Sequence, residues 1–179
     1  DSSGNAFDAA VTMQAGNGSN AAFGNITFVD SGAVDFVSSA STDDGDLYIK
    51  SSGAVGGNLS VTGNGDITQN VALAITGTTT LAAGSTNDIT LANTSNSFQG
   101  EIIITSGRNI NLGASGDIDL GASTVSGTYA ISAAGNITDS GDQIITGAAT
   151  FITVTGGSHI ILDSPGNAFA AAVTMRAGN

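Results

Sequence analysis

The 179-residue chain has no cysteine and no tryptophan, one proline, one histidine, and only three basic residues, Lys50, Arg108 and Arg176. Without cysteine it has no disulfides, no thiolate metal site and no thiol nucleophile. Fifteen acidic residues, all aspartate except Glu101, leave a net charge of −12. Such a chain repels phosphate backbones and anionic membrane surfaces, so nucleic acid is a poor partner for it. No run of 18 apolar residues occurs, so no segment reads as a membrane-spanning helix. No basic-then-apolar leader opens the chain either, and a secretion signal is expected to lie outside these residues. Charged residues make up only 10% of the whole while β-branched residues are plentiful, which points to a packed chain made soluble by its acidic excess.

What is present is Val, Ile, Leu and Ala embedded in Thr, Ser, Asn and 26 glycines. Val, Ile and Thr favour strands, and Gly, Asn and Asp favour turns, so the composition predicts an all-β fold. One phrase recurs: a small residue, Asn or Asp, Ile or Leu, a polar residue, and often another hydrophobe. It stands as GNITF (24–28), GDLYI (45–49), GNLSV (57–61), GDITQ (65–69), NDITL (87–91), RNINL (108–112), GDIDL (116–120) and GNITD (135–139), with SHIIL (158–162) a degenerate copy.

A longer period lies above it. GDITQNVALAITGTTTL (65–81) aligns with GNITDSGDQIITGAATF (135–151) at an offset of 135 minus 65, or 70, and NDITLANTSNSFQGEIII (87–104) aligns with SHIILDSPGNAFAAAVTM (158–175) at 71. NAFDAAVTM (5–13) matches NSFQGEIII (96–104) at an offset of 91, which requires an insertion of about twenty residues between Met13 and Asp46. The ends also match. DSSGNAFDAAVTMQAGN (1–17) and DSPGNAFAAAVTMRAGN (163–179) differ at three positions, so the chain reads as a length cut from a longer array: one segment over 1–179, with a partial unit at 1–45, a unit at 46–116 and a second partial unit at 117–179.

In DITL the Ile and Leu face one way and the Thr the other, the period-two pattern of a half-buried strand. Each strand can bury only two or three small side chains, so no coil stands alone. The expected architecture is a parallel β-solenoid, a β-helix of about eight coils, each of about 20–24 residues and stacked about 4.8 Å apart. Three coils would then make one 70-residue unit. Ile26, Leu47, Leu59, Ile67, Ile89, Ile110, Ile118, Ile137 and Ile160 should form stacked interior columns, with Phe28, Ile49, Val61, Leu91, Leu112, Leu120 and Leu162 beside them. The corner Asn and Asp residues should satisfy corner amides and tolerate left-handed backbone, and the preceding glycines should leave room where a Cβ would clash.

NSFQGEIII (96–104), GNAFAAAVTM (166–175) and GTTTLAAGSTNDITL (77–91) together resemble the repeats of very large secreted bacterial adhesins. The group they resemble is the filamentous haemagglutinin-like exoproteins of two-partner secretion, with autotransporter passengers close behind. The resemblance covers nearly the whole chain and implies a right-handed parallel β-helix serving as a stalk or adhesive surface outside the cell.

Candidate sites are few. Asp43, Asp44 and Asp46 form the densest acidic cluster, a calcium candidate that lacks the D-x-D-x-D-G spacing of a helix-loop-helix site; it reads better as a solvated turn. Asp117 and Asp119 should share the outward face of one strand, which a carbohydrate-active β-helix enzyme could use, although an ordinary water-facing strand gives the same pattern. His159 stands where other copies have Asn or Asp, and a lone His makes a poor metal site. Tyr48 and Tyr129 are 81 apart rather than 70 or 71, so they do not form a sugar-binding platform, and TGTTTL (76–81) loses its threonine row in TGAATF (146–151), against ice binding.

The sequence therefore reads as a non-enzymatic structural or adhesive segment of a large extracellular, secreted cell-surface protein, without catalytic, cofactor or metal residues. The alternative is a subunit of an extracellular filament or sheath that stacks end to end, and the third reading is the β-helix enzyme. Expected partners are neighbouring repeats or copies of itself, and host or cell-surface glycans or proteins.

Overall fold

The computed structural model describes residues 11–13, 24–37, 46–49 and 54–178, and among these the chain forms strands and no helix. In chain order they are β1 (Val11–Met13), β2 (Ile26–Val29), β3 (Val34–Val37), β4 (Asp46–Ile49), β5 (Ala54–Val55), β6 (Leu59–Thr62) and β7 (Ile67–Gln69). Then follow β8 (Ala74–Ile75), β9 (Thr79–Ala82), β10 (Ile89–Leu91), β11 (Ser97–Phe98), β12 (Ile102–Gly107), β13 (Ile110–Ala114) and β14 (Ile118–Val125). The last are β15 (Tyr129–Ala133), β16 (Ile137–Asp139), β17 (Gln143–Ile145), β18 (Ala149–Thr153), β19 (Ile160–Ile161), β20 (Ala168–Phe169) and β21 (Val173–Arg176).

All pair in parallel, and the chain passes back and forth between two main sheets. The first runs β1-β4-β3-β7-β10-β13-β15-β18-β21 and the second β2-β6-β9-β12-β14-β16-β19. Short edge strands join them: β5, β8 and β11 form one stack, and β17 and β20 continue from the end of β14. This is the β-solenoid that strands too short to bury themselves must build.

Register keeps like on like. In the first sheet Ile67, Ile89, Ile110, Tyr129 and Ala149 are successive partners, as are Leu91, Leu112, Ile131 and Phe151 beside them. In the second sheet Phe28, Val61, Leu81 and Ile104 make one column and Ile118, Ile137 and Ile160 another. Nearly all of these are fully buried, and a buried Leu or Ile is worth about 1.5–3 kcal/mol relative to exposure. Tyr129 and Phe151 meet edge to face at 5.8 Å, and Phe151 and Phe169 at 6.1 Å.

Three expectations need correction. Ile160 and Leu162 are only partly buried, because the coil above covers them and no described coil lies below; the side chains of Leu47 and Ile49 lie outside the described residues. The second sheet steps from β2 to β19 through six turns rather than about eight. Most steps are near twenty residues, as from Leu59 to Thr79, but the step from Ile26 to Leu59 takes 59 minus 26, or 33. Within it the chain doubles back, and β4 adds to the outer side of β3, between β3 and β1.

The 70-residue unit is also not three coils. From β6 the chain crosses between the main sheets seven times, through β7, β9, β10, β12, β13 and β14, before it reaches the equivalent β15. Seven crossings are three and a half turns. Equivalent strands consequently lie in opposite sheets: β7 in the first and β16 in the second, β9 in the second and β18 in the first, β10 in the first and β19 in the second.

Candidate functional site

The recurrent Gly-Asn phrase acts at the corners. Asn25 Oδ1 accepts the amide of Asn58 at 2.8 Å, and Asn58 Oδ1 accepts that of Thr78 at 3.0 Å. On the other edge Asp66 Oδ1 accepts from the Asp88 amide, Asp88 Oδ1 from Asn109, and Asn109 Oδ1 from Thr128. A third ladder runs from Asp117 through Asn136 to His159. Each side chain satisfies the corner amide one turn on, as a corner lacking other partners requires. Glycine makes the space for it: a Cβ at Gly57 would sit 2.5 Å from Asn25 Oδ1, and one at Gly127 the same distance from Asn109 Oδ1. Left-handed backbone is borne by glycine, at Gly84 (φ 87°) and Gly157 (φ 85°).

A second polar device lies beneath the edge strands, centred on Asn96, which is fully buried. Its Oδ1 accepts from the Leu73 amide at 2.8 Å and from Gln69 Nε2 at 2.9 Å. Its Nδ2 donates to Gln69 Oε1, to the Leu91 carbonyl and to the Gly113 carbonyl. The same device recurs at Asn167, whose Oδ1 accepts from the Gln143 amide at 2.8 Å and whose Nδ2 donates to Asp139 Oδ2 at 2.6 Å. Sequence reading missed both, although the signal was there: an Asn precedes every x-Phe of the NSF and NAF phrases.

The candidate residues are scattered. Asp43, Asp44 and the Asp46 side chain lie outside the described residues. Asp117 Oδ1 is engaged by the Asn136 amide as a corner acceptor, while Asp119 faces outward from the strand between buried Ile118 and Leu120. The Asp119 Oδ1 meets no hydrogen-bond donor. His159 is an exposed corner residue whose backbone extends the ladder, its amide donating to Asn136 and its carbonyl accepting from Ile137. Tyr129 is buried, not displayed, with its hydroxyl 3.3 Å from Ser123 Oγ, and burial raises its pKa. In TGTTTL, Thr79 points into the core while Thr80 stacks between Ser60 and Ile103, so the threonines make no row. Among the described residues no group of three or more His, Cys, Asp or Glu side chains converges.

The ion pair of Arg108 with Asp88 is bidentate, at 2.7 and 3.0 Å, on an exposed corner. The Arg108 hydrogen bond holds the Asp88 carboxyl below the usual range, with the Asn109 amide adding to it against partial burial. The last described coil carries an open apolar groove of about 510 Å³, lined by His159, Ile160, Ile161, Met175 and Ala177.

No curated protein and no solved structure matches the chain. A family model described as repeats of unknown function (DUF5649) matches it twice, over residues 9–105 and 107–176. The second match is one sequence period long, 176 minus 106, or 70 residues, and the first is the longer by the insertion already seen before Asp46. With 97 and 70 residues matched of 179, the chain belongs to the DUF5649 repeat family.

Proposed function

We propose that the chain is a non-enzymatic structural and adhesive segment of a large extracellular bacterial surface protein, an elongated stalk or fibre. The observation that carries this reading is the unbroken register of the interior columns, in which each coil reproduces the cross-section of the one before. A cross-section that copies itself lengthens by adding units, and stability then grows by nearest-neighbour terms, which is the economy of a spacer. The corner aspartates keep such a rod soluble, while its flat outer rows of Thr, Ser and Ala are left free for contact. The partners are neighbouring repeats and cell-surface glycans or proteins.

The test compares binding with turnover. Beads coated with the 179-residue chain should be retained on immobilised cell-surface glycoprotein, and acidic polysaccharides incubated with the chain should keep their length. Depolymerisation that disappears in Asp117→Asn or Asp119→Asn would replace this reading with the enzyme.

End-to-end stacking is a second reading, supported by the exposed Ile161, Val173 and Met175 around the apolar groove of the last described coil. Concentration-dependent filaments in electron micrographs, lost in Val173→Asp or Met175→Asp, would favour it. A monomer at all concentrations would remove it.

A further inference from the structure

A unit of three and a half turns has a consequence that a whole number of turns would not have. We infer that the array carries the same polar ridge alternately on its two opposite edges, so that it has two equivalent binding edges and repeats in space only after two sequence units, seven turns. This goes beyond the proposed function, because it fixes where each unit faces whatever the unit binds.

Three independent observations carry it. The edge strands β5, β8 and β11 each follow a strand of the first sheet and precede one of the second. Their equivalents one period on, the end of β14, β17 and β20, each follow the second sheet and precede the first. The passage from first to second sheet and the return passage lie on opposite edges of a coil, so the ridge changes sides.

Second, the hydrogen bonds beneath the ridge change sides with it. Asn96 accepts from the residue 73 amide, and Asn167 from that of 143. Asn96 donates to residue 69, and Asn167 to 139. The Asn96 amide donates to the carbonyl of Asn93, and the Asn167 amide to that of Ser164. Each pair is separated by 70 or 71 residues, so one device has been built twice, facing opposite ways.

Third, the phrase occurring three times alternates: β1 lies in the first sheet, β12 in the second and β21 in the first. Between β1 and β12 the offset of 91 exceeds 70 by 21, one whole turn, and a whole turn leaves the facing unchanged. An insertion of half a turn would have put two successive copies on the same side. A partner that recognises the ridge is therefore held on both sides of the rod, and the array bridges partners instead of lying along one of them.

The test uses spin labels in the 179-residue chain, where the absence of native cysteine makes every introduced thiol unique. Thr76 and Thr146 are exposed and one period apart, beside β8 and β17. On opposite edges they lie about 17 Å apart along the axis and about 20 Å across it, or about 26 Å in all, from a strand spacing of about 4.8 Å and a rise of about 3.3 Å per residue. On one edge, three turns apart, they would lie about 14 Å apart. Pulsed dipolar spectroscopy of Thr76→Cys/Thr146→Cys should give a modal distance above about 20 Å, and a value at or below that overturns the inference. Ala74→Cys/Ile144→Cys provides a second, independent pair with the same expectation. The control Thr76→Cys/Gln99→Cys, on neighbouring turns of one edge, should show strong line broadening, since Gln99 donates to the Ile75 carbonyl.

Discussion

The same eighteen-residue phrase is found once in the middle of the stack, at 87–104, and once in its last described coils, at 158–175, and the two copies have different surroundings. Ile89, Leu91, Ile102 and Ile104 are all at most 1% exposed, whereas Ile160 and Leu162 are partly buried, Val173 is 39% exposed and Met175 51%. Asn96 is sealed by the Gly113 carbonyl of the next turn, while Asn167 has partners only in the turn before. The residues and local strand geometry are alike; the difference is one neighbouring coil. Burial in this molecule is conferred by stacking, which is why the interior columns matter more than any single strand.

Paired substitutions at equivalent positions sharpen that contrast. The largest effect is expected at Ile89→Asp, which puts a charge into a dry column and should abolish the cooperative thermal transition seen by circular dichroism. Ile160→Asp, its equivalent in the last coil, should leave a folded protein destabilised by about 1 kcal/mol. Next is truncation: Ile104→Ala should cost about 2–5 kcal/mol in urea melts, and Met175→Ala no more than about 0.5 kcal/mol. Equal costs at the two sites would contradict the stacking account.

For the polar device, Asn96→Ala strands the Leu73 amide and the Leu91 and Gly113 carbonyls away from water and should cost about 2–3 kcal/mol, against about 1 kcal/mol for Asn167→Ala. The smallest effect is at the exposed corner pair. In Arg108→Gln the Asp88 midpoint, read by carboxyl NMR titration, should rise toward the ordinary value. Because Asp88 is depressed in the folded chain, the pair's slight stabilisation is present above the ordinary carboxylate pKa and lost as pH falls through the depressed one. Salt should weaken it further.

Much of this fold was legible in the sequence. The alternation in NDITL identified Ile89 and Leu91 as interior, and the repeated Gly-Asn identified corners whose side chains would satisfy amides, since both follow from local sterics and hydrogen-bonding capacity. What could not be read was the phase. A period of 70 gives the length of a unit, but dividing it into turns requires knowing that each turn holds two corner phrases, one per main sheet, and only pairings such as Thr79 with Leu59 reveal that. The turn count was overestimated because β4 doubles back, a choice made by tertiary pairing and not by propensity. Asn96 escaped notice because a polar residue in a Ser- and Asn-rich loop looks solvated until the next coil covers it.

The central claim is that order is conferred coil by coil through stacking. Native-state hydrogen exchange on the 179-residue chain tests it most directly, by comparing amides of β10 with those of the equivalent β19. The account predicts that β10 exchanges only with global unfolding while β19 exchanges far faster through local opening. Equal protection of the two strands would contradict it.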